Sequence, residues 1–268
     1  MIQVFAQDIK TQDRQSSKGN QLKWYNNNTW YKADASGYEG LAEYIISYLL
    51  KFSTLQPSEY VLYQTESISY NTQIFTGCKS LNFIPEGWQL FTLERIFSMK
   101  YNQSLYESIF HISTINERIK FLVDTTVSLT GLQDFGIYLS KMLCLDAFFL
   151  NEDRHMHNIA VLMDTSNQFH YCPFFDNGAA LLSDTNLDYP LHTNVQTLLK
   201  TVSSKTISTD FDEQLDAIES LYGQHLKIFF ALKDIESLLN SDENYSPQIK
   251  IRILEIISLQ KHKYQHLF

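Results

Sequence analysis

The feature that most constrains the fold is a polar interruption between apolar segments near the middle of the chain. An apolar helical run turns polar at Asn151, and the chain becomes apolar and strand-like again at Ile159. Asp153 and Asn158 lie within this interruption, and Asp176 follows the second apolar strand. The pattern predicts a loop between a buried helix and a short hairpin, with oxygen-bearing side chains at the loop and at the end of the hairpin.

These side chains suit phosphoryl transfer. In protein-kinase-type folds, an Asp accepts the hydroxyl proton, and an Asn five residues later and an Asp after the next hairpin bind the metal ions. Mg²⁺ prefers oxygen ligands. We therefore predict Asp153 as the base and Asn158 and Asp176 as the metal ligands, in a catalytic loop at 151–158 and a metal-binding turn at 175–178.

Two other interpretations of these residues remain open. Asp and Asn are also common turn residues beside a hairpin. His155 and His157, with Asp153 and His170, could form a metal cluster, although no HExxH motif or cysteine pair accompanies them. We favour His155 as a structural residue that braces the loop, with Arg154 beside it.

The two motifs resemble a known family. The segments Asn-Glu-Asp-Arg-His-Met-His-Asn at 151–158 and Phe-Asp-Asn-Gly-Ala-Ala-Leu-Leu-Ser at 175–183 resemble the catalytic and metal-binding segments of HipA-like serine/threonine kinases. These bacterial kinases are distantly similar in fold to phosphoinositide kinases. The resemblance implies an α+β, two-lobe protein-kinase-like fold, with a small β-rich N-lobe carrying one main helix and a larger, mostly helical C-lobe. We predict the N-lobe at 1–86 and the C-lobe at 87–268, the compact form without the extra N-terminal subdomain of longer HipA-type toxins.

The expected N-lobe carries a lysine and two candidate acidic partners. A strand predicted at 29–33 contains Lys32, and a helix predicted at 37–50 follows it at once. Glu39 and Glu43 are four residues apart and share one side of that helix. We predict Lys32 as a catalytic, phosphate-binding residue paired with Glu43, with Glu39 as the alternative partner and an ordinary exposed lysine as the alternative interpretation.

A polar loop stands where a phosphate-covering loop belongs in this fold. We predict that Ser16, Ser17, Lys18 and Gly19 contact the nucleotide, although the loop lacks a GxGxxG motif and an ordinary solvated loop is the alternative. The resemblance implies autophosphorylation on Ser16 or Ser17, because some HipA-like kinases modify a serine there.

The hinge between the lobes is predicted where a strand at 73–84 runs into a Pro-Glu-Gly-Trp cluster. Backbone groups of Asn82, Phe83 and Ile84 would face the adenine ring of ATP. The other predicted elements are strands at 2–10, 21–25 and 59–64 and helices at 113–130, 132–150, 211–222, 223–240 and 246–267.

Composition excludes several classes of protein. The 268 residues can bury one large core or two small lobes, and 44% hydrophobic content excludes a disordered chain. A net charge of −9 argues against a nucleic-acid-binding surface. No apolar run approaches the roughly 20 residues of a membrane span. The three cysteines are unpaired in spacing, which predicts a reduced, cytoplasmic protein, with secretion as an effector left open.

The sequence therefore predicts an ATP- and Mg-dependent serine/threonine protein kinase. The resemblance further implies a toxin or effector that modifies a translation component, an antitoxin partner and a protein substrate with a Ser or Thr acceptor. One alternative is a phosphotransferase acting on a small molecule or a phosphoinositide. Another is a non-catalytic, pseudokinase-like interaction module with an acidic surface.

Overall fold

The structure, a computed structural model, describes residues 1–10 and 21–268 and confirms the predicted α+β class. The strands are β1 (Ile2–Gln3), β2 (Lys23–Asn26), β3 (Thr29–Ala33), β4 (Tyr63–Tyr70), β5 (Gln73–Leu81), β6 (Gln89–Thr92), β7 (Ala160–Met163) and β8 (Phe169–Tyr171). The helices are α1 (Glu39–Leu49), α2 (Leu93–Tyr101), α3 (Leu105–Phe110), α4 (Ile115–Thr130), α5 (Phe135–Phe149), α6 (Val195–Leu198), α7 (Phe211–Tyr222), α8 (Leu232–Ser241) and α9 (Pro247–Lys263). Within the described residues, no helix is both long enough and apolar enough to cross a bilayer.

The chain divides into two compact units that do not follow its order. The first unit consists of Met1–Phe83, Phe175–Val202 and Lys227–Phe268, and the second of Ile84–Phe174 and Ser203–Leu226. The chain first passes from one unit to the other between Phe83 and Ile84, close to the predicted lobe boundary between 86 and 87. Two segments that the sequence placed in the C-lobe, however, pack with the N-terminal strands.

The first unit is built on a five-stranded sheet in the order β1-β4-β5-β3-β2. Strand β1 runs parallel to β4, and the other pairs are antiparallel. Helix α1 packs on β4 and β5. A Cβ on Gly40 of α1 would lie 2.5 Å from the carbonyl carbon of Gly77 on β5, so only glycine allows this close approach. Glu43, about one turn further along α1, is thereby brought toward the sheet strand that carries Lys32.

Hydrogen bonds attach the C-terminal segment to this sheet and to the start of α1. The Tyr245 hydroxyl donates to Asp34 Oδ2 at 2.8 Å, and the Thr65 hydroxyl donates to Asp242 Oδ2 at 2.5 Å. Helix α8 also packs against α1. These contacts join residues that are far apart in the sequence, which is why local patterns placed the C-terminal helices in the other lobe.

The second unit combines a small antiparallel sheet, in the order β6-β7-β8, with helices α2 to α5 and α7. Helices α4 and α5 both pack against α7. Most of α5 is buried, and the helix ends at Leu150, whose φ of 60° is left-handed. The polar loop predicted from the sequence begins immediately after this residue.

Several predicted strands and helices have different bounds in the structure. The strand predicted at 2–10 is reduced to β1, because the Asp8 carboxylate accepts a hydrogen bond from Phe5 N–H and closes a 3₁₀ turn at Ala6–Asp8. The strand predicted at 59–64 is displaced to β4, since Pro57–Glu59 form another 3₁₀ turn.

Other elements of the prediction are confirmed or extended. Strands β2 and β3, helices α1, α4, α5, α7 and α9, and the hairpin of β7 and β8 occur where the sequence placed them. The helix predicted at 223–240 begins only at Leu232, and β6, α2, α3 and the short α6 were not predicted. Gly131 ends α4 as predicted, with a left-handed φ of 78°.

Asp34 is a partly buried carboxyl group at the junction between β3, α1 and the C-terminal segment. It accepts hydrogen bonds from Gly40 N–H at 2.6 Å and from the Tyr245 hydroxyl at 2.8 Å. Burial raises the pKa of Asp34 to about 8, because the loss of solvent outweighs these two hydrogen bonds.

We expect Asp34→Asn to flatten the pH dependence of stability. Folded Asp34 keeps its proton up to about pH 8, whereas the unfolded chain loses it near about pH 4, so the free energy of unfolding falls as the pH rises between them. The substitution should reduce this slope by about 1 kcal/mol per pH unit, measured by urea unfolding at several pH values. Asp124→Asn, at an exposed carboxylate on α4, should keep the wild-type slope. Equal slopes for Asp34→Asn and wild type would contradict the raised pKa.

Candidate active site

A lysine on β3 is held between two carboxylates. Lys32 Nζ lies 2.7 Å from Glu43 Oε1 on α1 and 2.7 Å from Asp176 Oδ1. The Lys32 side chain is 12% exposed, that of Glu43 is 2% exposed and that of Asp176 is 27% exposed. The structure thus brings together three of the predicted site residues, with Asp176 as the member most open to solvent. We call this group the lysine cluster.

The charge of Lys32 is fixed by its neighbours. Burial by itself would lower the pKa of the ammonium, but the Asp176 and Glu43 carboxylates outweigh this effect and raise the pKa well above its ordinary value. The ammonium also lies 5.2 Å from the centre of the Tyr63 ring. The cluster therefore presents a permanent cation beside a partly exposed carboxylate.

The two glutamates on α1 have different roles. Glu43 accepts from Lys32 with one oxygen and from Asn177 N–H, at 2.9 Å, with the other. Glu39 instead accepts from the backbone N–H groups of Ser36, at 2.7 Å, and Gly37, at 3.1 Å. Of the two candidates named from the sequence, Glu43 is the one that pairs with Lys32, and Glu39 closes the turn before α1.

The segment that carries Asp176 has an unusual backbone. Asp176, Leu181 and Leu182 all have left-handed φ values, of 59°, 56° and 55°. Such conformations cost non-glycine residues about 1–3 kcal/mol each and persist only where the surroundings hold them. Here the Tyr38 hydroxyl donates to Leu181 O at 2.6 Å. A Cβ on Gly178 would lie 3.3 Å from Glu39 Cβ, so this segment follows the start of α1 closely.

The loop at 151–158, which is the predicted catalytic loop, is anchored by a buried ion pair. Arg154 Nε lies 3.1 Å from Asp146 Oδ2, and both side chains are almost fully buried. The pKa of Asp146 is raised, because burial outweighs the opposing effect of Arg154. The Asn151 amide donates to Asp146 Oδ1 at 2.9 Å, and Arg154 Nη1 donates to Asn158 O at 3.2 Å. The two ends of the loop are therefore tied to the last turns of α5.

Asp153 and Asn158 are held side by side within this loop. The Asn158 side-chain N–H₂ donates to Asp153 O at 2.8 Å, which leaves the amide oxygen as the atom that can bind a cation. Asp153 Oδ2 lies 3.8 Å from His155 Nε2, and Asp153 Oδ1 lies 3.8 Å from Lys205 Nζ. The predicted base is therefore flanked by two nitrogen-bearing side chains.

The residue types fit a magnesium–nucleotide complex. Asp176 offers a carboxylate oxygen and Asn158 an amide oxygen, the hard ligands that Mg²⁺ takes together with phosphate and water. Lys32 is a point charge that suits a phosphate group. Each of these three side chains presents the atom required for its predicted role.

The structure tells less about the other predicted site residues. Ser16, Ser17, Lys18 and Gly19 lie outside the described residues.

At the predicted hinge, Asn82 N–H donates to Asn28 O at 2.9 Å, so this donor is already used within the sheet. The Phe83 ring lies 5.3 Å from the Phe175 ring, next to the lysine cluster in sequence. Ile84 is the first residue of the second unit.

The three histidines of the alternative metal cluster make local contacts. His157 N–H donates to His155 Nδ1 at 3.2 Å, and His170 Nε2 lies 2.9 Å from Asp164. Across residues 1–10 and 21–268, no group of three or more His, Cys, Asp or Glu side chains is arranged to hold a metal ion by itself. Arg154, rather than His155, makes the contacts that brace the loop.

Comparison with known proteins identifies the architecture. No protein-family profile and no curated protein sequence matches this chain. The crystal structure of a Helicobacter pylori proinflammatory kinase, CtkA, superposes with a TM-score of 0.64, covering 98% of this chain and 95% of that one. The chain has a kinase-like fold. The sequence identity is 16%, so the likeness concerns the fold alone.

Three contributions to these clusters were missed by the sequence analysis. Asp146 had a visible signal, because it is the lone acidic residue of a mostly apolar helix. Asn177 lies in the predicted metal-binding turn, but nothing in the sequence marks the contact of its backbone N–H, and the side chain of Lys205 gave no signal. In a kinase-like fold, such groups become apparent only from the tertiary structure.

Proposed function

We propose that this protein is a Mg-dependent phosphotransferase that moves the γ-phosphoryl group of ATP to a serine or threonine hydroxyl of a protein substrate. The observation that carries the proposal is the Lys32 ammonium held at 2.7 Å from both Glu43 and Asp176. A kinase-like fold with this pairing supplies a phosphate-binding cation and a metal-binding carboxylate. Asp153 and Asn158 supply a base and a second metal ligand.

Each side chain has a definite task in the proposed reaction. Lys32 binds the phosphates, and Glu43 keeps its ammonium in place. Asp153 accepts the proton of the attacking hydroxyl, a step for which a carboxylate held by the loop is suited. Asp176 and Asn158 would hold Mg²⁺, which supplies charge neutralisation for the phosphates when bound.

We further propose the HipA-like type. The support is the Asn-Glu-Asp-Arg-His-Met-His-Asn loop at 151–158, in which Arg154 is buried against Asp146 and Asp153 is 13% exposed. A toxin or effector role, a translation component as substrate, an antitoxin partner and autophosphorylation at Ser16 or Ser17 belong to the same proposal. Mass spectrometry of phosphosites after incubation with ATP, in the pure protein and in a lysate, tests the substrate and the autophosphorylation at the level of the modified residue.

The proposal predicts Mg-dependent transfer of ³²P from [γ-³²P]ATP that requires Asp176. We expect Asp176→Asn to lower the initial rate by at least about 10²-fold, because it removes the charged metal ligand. Asp124→Asn, at an exposed carboxylate on α4, is the matched control and should retain the wild-type rate. Wild-type transfer that persists in excess EDTA, or in Asp176→Asn, would contradict the assignment.

The same assay separates the alternative functions. Label that appears only on added small molecules or phosphoinositides would identify a different phosphotransferase. Binding of Mg·ATP without any transfer would identify a non-catalytic interaction module. Label on serine or threonine of a protein supports the proposed function.

A further inference from the structure

We propose that Lys205 is a further catalytic residue, which contacts the transferred phosphoryl group beside Asp153. This inference rests on the proposed function and deepens it. Lys205 Nζ lies 3.8 Å from Asp153 Oδ1, although the two residues come from different parts of the second unit. Lys205 lies outside the two sequence motifs, at 151–158 and 175–183, that predicted the site.

The position of Lys205 is fixed by the residues on either side of it. Ser204 and Thr206 are 1% and 0% exposed, whereas the Lys205 side chain is 42% exposed. The Ser204 hydroxyl donates to Gln214 Oε1 at 3.2 Å, and Ile207 N–H donates to the same oxygen at 3.4 Å. A buried polar network therefore holds the backbone on both sides of one projecting lysine. We call residues 203–209 the lysine turn.

One further contact fixes the lysine turn to α4, and another closes the turn on itself. Arg118 Nη1 on α4 donates to Ile207 O at 3.0 Å, and Ser204 N–H donates to Thr209 O at 2.9 Å. Helix α7 begins directly after the turn, with the Asp210 side chain as its N-cap. Because α4 and α7 also pack together, the turn is anchored to packed helices of the second unit.

The ion pair with Asp153 does not account for this arrangement as a stabilising contact. At 3.8 Å the ammonium and carboxylate are too far apart for a hydrogen bond. Ion pairs with an exposed partner contribute little to folding stability. A cation on a hydrogen-bonded turn beside the proposed base is instead suited to an anionic group that binds between them.

The transferred phosphoryl group is that anion. In the proposed reaction, the acceptor O–H bond breaks and its proton passes to Asp153. The acceptor oxygen forms a bond to the γ-phosphorus, and the bond from that phosphorus to the bridging oxygen breaks, so that the electron pair leaves with ADP. Lys205 keeps its proton throughout and neutralises charge on an equatorial oxygen of the group in transit.

Affinity for a transition-state mimic tests this role without knowledge of the acceptor. Aluminium fluoride added to Mg·ADP imitates the transferred group, and calorimetry gives the dissociation constants with and without it. We expect Lys205→Gln to lose at least about tenfold of the affinity gained from aluminium fluoride, while its affinity for Mg·ADP alone stays within about twofold. Lys205→Arg should retain most of the gain, because it keeps the charge.

Lys120→Gln, at an exposed lysine on α4, is the matched control and should behave as wild type. Unchanged thermal unfolding midpoints for Lys205→Gln and a second variant, Lys205→Met, show that the loss is not a folding defect. A full aluminium fluoride gain in Lys205→Gln or Lys205→Met would overturn the role of Lys205 and leave the proposed function intact. A wild-type protein that does not bind Mg·ADP would overturn the proposed function, and the role of Lys205 with it.

Discussion

Replacing Asp153 with asparagine is expected to lower kcat for phosphoryl transfer by about 10³-fold, within the range typical of general-base catalysis. Asparagine has nearly the same shape, and the backbone carbonyl of residue 153 can still accept from the Asn158 side chain as it does at 2.8 Å in the wild type. The loop should therefore keep its conformation. What the variant lacks is a group that can take the proton of the attacking hydroxyl. Initial rates of ³²P transfer and of ATP hydrolysis measure the loss.

Two controls define the meaning of this loss. The affinity of Asp153→Asn for Mg·ADP should equal that of wild type, because Lys32 and Asp176, the proposed phosphate and metal ligands, are unchanged. Asp124→Asn should retain wild-type kcat, since that side chain is exposed on α4. If Asp153→Asn turned over ATP at the wild-type rate, Asp153 would not be the base.

The largest effect on stability is expected from Arg154→Met. Asp146 is 1% exposed, and the variant would leave its carboxylate without the guanidinium that lies 3.1 Å away. Breaking a buried pair by removing one partner typically costs about 3–5 kcal/mol in the free energy of unfolding. We expect the cost to grow as the pH rises. The pKa of Asp146 is already raised by burial, and at low pH the unpaired carboxyl can become neutral.

A double variant separates the ion pair from packing. In Asp146→Leu/Arg154→Met neither charge remains, so at least half of the lost stability should return. Urea unfolding of the wild type, both single variants and the double variant gives the coupling free energy directly. Strictly additive losses would show that the two side chains do not stabilise the loop as a pair.

The parts of the candidate site that the sequence predicted are local in the chain. Asp153 and Asn158 share one loop, and β3 and α1, which carry Lys32 and Glu43, are consecutive elements. Asp176 follows the hairpin that begins after the loop. In each case the kinase-type motif supplied the residue types, and the short spacing indicated proximity because consecutive elements usually pack together.

The parts of the site and fold that the sequence did not predict depend on contacts between residues far apart in the chain. Lys205 approaches Asp153 only because the lysine turn is held by α4 and α7, and a lysine in a polar stretch carries no such mark. Strand β4 was misplaced because its Glu and Ser residues interrupt the strand pattern, and pairing with β5 determines its bounds. The C-terminal helices were placed in the wrong group of elements for the same reason, since Tyr245 and Asp242 act across most of the chain.

The discontinuity of the first unit has a consequence for the order in which the protein matures. Domains fold as units while the ribosome extends the chain. Lys32 and Glu43 emerge early, Asp176 much later, and the segment from Lys227 onward, which completes the same unit, later still. The packing of α8 on α1 and the hydrogen bond from Tyr245 to Asp34 therefore cannot form until the end of the chain has been translated.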